Sequence, residues 1–300
     1  GIKMTKEERI EFIKTTTTKK IIEAMESTDS NWIEEWTGGC TELPYNPTTK
    51  TPYSGTNIVW LMMQGRPSSK WAGYKQWQKV GRKVKLDENG RLGDNTPTDI
   101  IKVVPVPKKD KDGNKTDEII PIIKVLRVFN ESQLDDYEPE VKETANPNWV
   151  HAEIDKMVKS LNVKIQYGGT PSYNHQTDII TLPEQQDFKP TEGTAEQNYF
   201  ATKLHELGHW TGHKNRLDRN LCQRDKVRYA KEELVAELTA TLLSAYYGIE
   251  HTPLKSHAQY LNGWISMLKS DDQVMWEASQ KAYEAMDFIL KNSKQIKKVA

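Results

Sequence analysis

The pentapeptide HELGH at 205–209 constrains this chain more than any other feature, because an H-E-x-x-H pattern carries chemistry only on a helix. Thr194 and Gln197 stand upstream with the spacing of a capping box, in which side chain and backbone of the two residues bond reciprocally at a helix start. The sequence therefore predicts a helix over 194–212 with the motif near its C-terminal end.

Two histidines four residues apart lie one above the other on such a helix. The imidazole nitrogens of His205 and His209 can then bind one zinc ion, and other divalent metals are alternatives. Glu206 is adjacent and can reach a water on the metal, so it is the candidate general base. The simpler alternative is a solvated helix face that happens to carry histidine and glutamate.

A catalytic zinc ion needs a third protein ligand, and the next predicted helix, at 225–247, offers two glutamates. We predict that Glu233 is the ligand and that Glu237, four residues on, accepts the N–H of a ligand histidine. Glu232 points about 100° away on the same helix and is the weaker choice. His213 is a rival, but it lies about 12 Å along a straight helix from the first histidine of the motif.

A peptidase also needs a donor that stabilises the oxyanion of its transition state. Tyr229, His257 and Tyr260 are the candidates nearby in sequence. For each of them, a packed aromatic ring or a surface histidine is the competing interpretation.

A second feature is a basic segment from Lys50 to Lys85, which contains eight lysines and arginines and no acidic residue. Aromatic residues alternate with these cations, a combination suited to phosphates and to the flat faces of unpaired bases. It favours single-stranded nucleic acid over a duplex; alternatively, the aromatics pack in the core and the lysines form a solvated face. The candidate contact residues are Tyr53, Trp60, Arg66, Lys70, Trp71, Tyr74, Lys75, Trp77, Lys79, Arg82 and Lys83.

The charge balance of the chain hides this asymmetry, because 42 basic residues offset 42 acidic ones. Residues 1–130 carry a net charge of +5 and the remainder carries −5. No stretch approaches the 18 consecutive apolar residues of a membrane span, and the two cysteines form no disulfide framework. We therefore expect a cytoplasmic protein with no membrane partner; the sequence leaves its oligomeric state open.

The pattern of elements predicts an α+β protein in two domains. Residues 1–130 contain a predicted helix at 5–26, an amphipathic helix at 70–79 and a hairpin of strands at 100–107 and 119–130. The acidic, proline-containing segment 131–147 is the predicted linker. Residues 148–300 are predicted to form a mainly helical domain with a small β-sheet, built from strands near 163–169 and 178–183.

Several longer stretches resemble the ArdC family of plasmid antirestriction proteins. In the C-terminal half these are YGGTPSYNHQTDIITLP, YFATKLHELGHWTGH, YAKEELVAEL and HAQYLNGWISMLK; in the N-terminal half they are YNPTTKTPYSGTN, the W-x-x-Y-x-x-W run at 71–77 and the VFN at 128–130. The resemblance implies an N-terminal domain that binds single-stranded DNA, related to one in plasmid primases. It also implies a zincin-like metallopeptidase domain of gluzincin type, and protection of incoming mobile DNA from host restriction.

Three functions remain open on the sequence. The first is an antirestriction protein whose peptidase acts on a protein bound to DNA. The second is a pure DNA-binding protein that shields incoming strands and keeps a structural or vestigial zinc site. The third is an intracellular zinc peptidase with no nucleic-acid role.

Overall fold

The structure, a computed structural model, describes residues 4–27, 32, 42–140, 147–191, 193–221, 225–249 and 258–294. Helices and small sheets mix along the chain, as the α+β expectation requires. The N-terminal elements are α1 (Lys6–Ser27), β1 (Tyr45–Asn46), β2 (Thr51–Pro52), α2 (Thr56–Met62), β3 (Trp71–Ala72), α3 (Tyr74–Lys79), β4 (Thr98–Lys109) and β5 (Lys115–Asn130). The C-terminal elements are α4 (Pro147–Ser160), β6 (Lys164–Tyr167), β7 (Ser172–Asn174), β8 (Ile179–Leu182), α5 (Ala195–Thr211), α6 (Lys226–Tyr247), α7 (Ala258–Ser270) and α8 (Gln273–Asn292).

The N-terminal sheet is built on the predicted hairpin, which is longer than its apolar stretches indicated. Strands β4 and β5 pair antiparallel from Thr98↔Val128 to Lys109↔Lys115, so charged residues continue the ladder past the apolar run. Strand β3 adds to the other edge of β5 and gives the order β3-β5-β4.

The predicted helix at 70–79 is wrong in its first half. Trp71 pairs with Asn130 and Ala72 with Phe129 as strand β3, and the helix begins only at Tyr74. Gly73 separates the two and bonds through its N–H to the side chain of Gln76. Ladder pairing with β5 thus replaces the first helical turn, because it buries both Trp71 and Ala72.

The C-terminal sheet has the order β6-β8-β7, with β6 parallel and β7 antiparallel to the central strand β8. Strand β7 was not predicted, since only three residues of it pair. The helices predicted at 194–212 and 225–247 are present as α5 and α6, within one residue at each end. Among the residues described, none of the helices is both long and apolar enough to cross a membrane.

One hydrophobic core joins the two halves of the chain. Ile21 and Met25 of α1, and Ile58 of α2, belong to the same buried cluster as Leu204 of α5 and Leu234 of α6. Polar contacts reinforce this packing: Lys14 Nζ donates to the side chain of Gln273, at the start of α8, over 3.0 Å. The division at 131–147 remains a prediction, but α1 and α2 pack against helices from beyond it.

Candidate functional site

Helix α5 carries the HELGH motif on a rigid, buried stretch. The predicted capping box is present: Thr194 N–H donates to the Gln197 side chain over 2.8 Å, and Gln197 N–H donates to Thr194 Oγ1 over 3.1 Å. All residues from 199 to 211 are buried, so the helix is fixed on every side. Both histidines of the motif are therefore held by packing.

Helix α6 brings the third predicted ligand to these histidines. It begins at the N-cap Asp225, whose carboxylate accepts two backbone N–H bonds, and it ends at Gly248 in the left-handed conformation. The helix crosses α5 at Gly208, where an added Cβ would lie only 3.0 Å from the Cα of Ala236. This close approach places the Glu233 carboxylate against the rings of His205 and His209.

Three potential ligand atoms converge with the separations that a metal ion requires. The Nε2 atoms of His205 and His209 lie 3.1 Å apart, and they lie 3.3 and 3.4 Å from the two oxygens of Glu233. Neighbouring ligands of a tetrahedral zinc ion, each about 2.1 Å from the metal, are about 3.4 Å apart. Among the described residues these three form the one group of at least three His, Cys, Asp or Glu side chains suited to a metal.

The opposite nitrogen of each histidine faces a carboxylate, which fixes the ring orientation. His205 Nδ1 lies 3.1 Å from Glu237 Oε2, in the arrangement expected from the sequence. His209 Nδ1 lies 3.3 Å from Glu232 Oε1, a contact that the sequence reasoning missed. The sequence presents Glu232 only as a weaker candidate for metal ligation. The rotation of about 100° that disfavours ligation directs it to the far side of His209.

Burial and charge oppose each other at these side chains. Burial alone would lower the pKa of His205, but hydrogen bonds with Glu233 and Glu237 outweigh it and raise the pKa to about 9. Against the same burial penalty, Glu233 and Glu232 raise the pKa of His209. Burial would raise the pKa of Glu233, but the two histidines hold it well below its usual range. The site therefore attracts positive charge strongly.

Two of the three candidate oxyanion donors lie beside the third ligand. The hydroxyls of Tyr229 and Tyr260 are 3.4 Å apart, and Tyr229 also forms a hydrogen bond with Glu233. Burial, supported by these neighbours, raises the pKa of Tyr229, so it stays a protonated donor. His257 lies outside the described residues. The rival ligand His213 accepts a bond from the backbone of Asn215 and is not in the ligand group.

Most of the aromatic residues proposed to contact nucleic acid are buried. Trp60, Trp71 and Trp77 are each at most 5% exposed, and Trp77 donates to the Phe129 carbonyl over 3.0 Å. Tyr53 is partly buried and donates to the Trp71 carbonyl over 2.9 Å. The structure therefore contradicts stacking of bases on the three tryptophans, because their faces pack in the N-terminal core. Aromatics and lysines at helical spacing suit either a core or a binding face.

Two of the predicted phosphate-binding cations are engaged by acids of the same chain. Lys70 lies 3.6 Å from Glu131 and also pairs with Glu140, and Arg82 pairs with Glu131 and Asp136. These acids follow β5, beyond the acid-free segment, so only the fold reveals the pairing.

The remaining candidates are at least partly exposed. Tyr74 is 38% exposed and is held edge-on to Phe129, with ring centroids 6.1 Å apart. Lys75, Lys79 and Lys83 are exposed, and Arg66 is partly exposed. Two of these remaining candidates border a cavity of about 380 Å³, which is lined by Tyr74, Gln78, Gly81, Arg82, Lys83, Val84, Leu86 and Asp135.

Comparison with protein families divides the chain between two models. Residues 11–129 match the N-terminal domain of the anti-restriction factor ArdC. Residues 152–281 match a zincin-like metallopeptidase domain. The second match contains the whole candidate metal group.

Individual relatives match nearly the whole chain. The DNA primase TraC of Escherichia coli is 33% identical over 291 residues; the alignment covers 91% of this chain but only 19% of the primase. Two crystal structures of the antirestriction protein ArdC from plasmid R388, one metal-free and one bound to Mn(II), are 26% identical, with TM-scores of 0.71 and 0.69. Each match covers 95% of this chain and at least 98% of the ArdC chain. The chain therefore carries an ArdC N-terminal domain followed by a zincin-like metallopeptidase domain, and it is ArdC-like along nearly its whole length.

Proposed function

We propose that this ArdC-like chain acts as an antirestriction protein, that it hydrolyses peptide bonds with one zinc ion held by His205, His209 and Glu233, and that it binds single-stranded DNA. The observation that carries the peptidase is the convergence of the two Nε2 atoms, 3.1 Å apart, with one Glu233 oxygen 3.3 Å from the first and the other oxygen 3.4 Å from the second. A carboxylate lies behind each histidine. Two imidazoles and one carboxylate are a common ligand set of catalytic zinc sites.

When bound, the metal supplies a Lewis acid that polarises a carbonyl oxygen and makes water a stronger nucleophile. Glu206 is buried beside the histidines and takes the proton of the attacking water, then returns it to the leaving amine. The protonated hydroxyl of Tyr229, which donates to Glu233 in the structure, would turn its hydrogen bond to the developing oxyanion, and Tyr260 donates to the Tyr229 oxygen.

Replacement of the base tests this mechanism while the metal ligands stay in place. We expect Glu206→Gln to bind zinc like the parent protein and to lose at least about 100-fold in peptide hydrolysis, the usual contribution of a general base. Glu196→Gln is the matched control, because Glu196 lies in the first turn of the same helix and contacts His151 instead. Unchanged hydrolysis by Glu206→Gln would reject Glu206 as the base.

The same variant separates the peptidase from a pure shielding protein. If hydrolysis is the biological activity, Glu206→Gln also loses antirestriction in a plasmid transfer assay. Full protection by the variant would instead assign the function to DNA binding, with the target of any hydrolysis unrelated to restriction.

DNA binding is supported by the exposed residues of α3 and the turn after it, Tyr74, Lys75, Lys79 and Lys83. The cavity beside Tyr74 can receive an unpaired base against the ring while the lysines bind phosphates. A DNA-bound protein would thereby be brought to the metal centre, which makes such a protein the proposed substrate.

A gel shift with a single-stranded oligonucleotide at two salt concentrations tests this surface. We expect Tyr74→Ala to weaken binding by about 1–3 kcal/mol, the usual value of one base stack. Tyr167→Ala is the control, because Tyr167 is similarly exposed but lies on β6. No shift at low salt, or a shift that is indifferent to salt, would contradict DNA binding.

A further inference from the structure

We propose that Arg219 is a positioning residue of the metal centre, acting on the ligand His209 through Glu232. This inference rests on the proposed metal site and assigns a role to the loop that follows α5.

The contact between Arg219 and Glu232 is a two-pronged ion pair. Arg219 Nε donates to Glu232 Oε2 over 3.0 Å, and its Nη2 donates to Oε1 over 2.7 Å. Glu232 Oε1 is also the oxygen that faces His209 Nδ1 at 3.3 Å. Because both carboxylate oxygens are engaged, Glu232 cannot rotate away from the histidine without breaking the pair.

The same guanidinium is anchored to the helix that carries the histidine. Its Nη1 donates to Thr211 Oγ1 and its Nη2 to the Gly208 carbonyl, each over 2.7 Å. The side chain is only 5% exposed. Arg219 therefore fixes Glu232 on α6 relative to His209 on α5.

Gly212, at the C-cap of α5, leaves room for this arrangement. A Cβ at this position would lie 2.9 Å from Arg219 Nη2 and 3.0 Å from its Cζ. The backbone of Gly212 has an ordinary right-handed conformation, so the close approach of the guanidinium is the reason that glycine fits here.

Positioning and simple charge compensation predict opposite effects when Arg219 is removed. The site gathers four buried or largely buried carboxylates, those of Glu206, Glu232, Glu233 and Glu237. Loss of a nearby positive charge would strengthen binding of a divalent cation to them. Loss of the two-pronged ion pair would release Glu232 from His209. Loss of such a contact behind a metal ligand commonly weakens metal binding about 10- to 100-fold.

The experiment compares metal dissociation constants of full-length variants, measured for Zn²⁺ by competition with a chromophoric chelator. We expect Arg219→Met and Arg219→Lys each to weaken binding about 10-fold or more, because lysine keeps the charge but not the planar fork. The matched control is Arg216→Met. Arg216 lies in the same loop and is nearly as buried, but it pairs with Asp178 and stacks on Trp210.

The control variant is expected to lower the melting temperature while keeping the parental zinc affinity. Equal or tighter zinc binding by Arg219→Met, rescue by Arg219→Lys, or an equal loss in Arg216→Met would each overturn the positioning role. If the parent protein binds no zinc, the proposed metal site itself fails, which is a different result from parental affinity in the Arg219 variants.

Discussion

Gly208 lies inside the HELGH motif at the crossing of α5 and α6, and a single added methyl group tests how tightly these helices pack. A Cβ there would lie 3.0 Å from the Cα of Ala236, 3.2 Å from its carbonyl oxygen and 3.3 Å from Thr239 Cβ. Backbone atoms in a packed core cannot move aside as a flexible side chain can, so the helices must separate. Such overpacking typically costs about 1–3 kcal/mol.

Alanine also favours the helix over glycine by about 1 kcal/mol, so the two effects of Gly208→Ala partly cancel. We expect a net loss of up to about 2 kcal/mol in the free energy of unfolding. Zinc affinity should fall as well, because Glu233 and Glu237 flank Ala236 on the helix that is displaced.

Denaturant unfolding, with Gly263→Ala as the matched control, measures the packing contribution directly. Gly263 lies within α7, is exposed, and has no atom within 4 Å of the position its Cβ would take. Gly263→Ala should therefore gain up to about 1 kcal/mol from helix propensity alone. The two variants should differ by about 1–3 kcal/mol, the overpacking cost. Equal stabilisation by both would refute the close approach of α5 and α6.

Two further predictions concern the histidines and the shared core. Zinc affinity should rise with pH up to about pH 9, because His205 keeps its proton up to about that pH and the pKa of His209 is raised as well, so zinc must displace protons from both. An affinity that stays flat between pH 6.5 and pH 9 would contradict the cluster. Ile21→Ala on α1 should cost about 2–5 kcal/mol and destabilise the metal-bound protein as a whole, since Ile21 is fully buried in the core shared with α5 and α6. A thermal unfolding scan of the zinc-loaded variant checks this. An unchanged melting temperature for the part of the chain that holds zinc would exclude the shared core.

The metal group was predictable because its spacing is local. His205 and His209, and likewise Glu233 and Glu237, are each one helical turn apart, so the sequence decides which side chains share a face. The capping box at Thr194 had the same local origin. When α5 and α6 pack together, the face that carries the two histidines meets the face that carries the two glutamates.

The contacts between helices and loops were not predictable in this way. Whether Glu232 reaches His209 depends on how closely α5 and α6 approach each other. Gly208 permits the close approach, but a glycine within the motif does not predict it from the sequence. Arg219 stands in a loop without periodicity, so no local pattern indicates its partner.

The tryptophans illustrate a different limit. Trp71 and Trp77 alternate with lysines, a pattern compatible with both a stacking surface and a core. Pairing of β3 with β5 buries Trp71 in the core. The indole N–H of Trp77 donates to the Phe129 carbonyl and so holds this ring in the core as well. Both partners lie more than fifty residues away in the sequence, so the choice depends on tertiary structure.

Metal analysis of the full-length protein, equilibrated with zinc and then dialysed, tests the candidate metal centre most directly. Glu233→Gln removes a ligand charge, while Glu206→Gln serves as a neighbouring control that leaves the three ligand atoms intact. We expect one zinc ion per chain in the parent protein and in Glu206→Gln, and far less in Glu233→Gln. A parent protein without zinc, or a Glu233→Gln variant that keeps a full ion, would contradict the assignment of His205, His209 and Glu233 as the metal ligands.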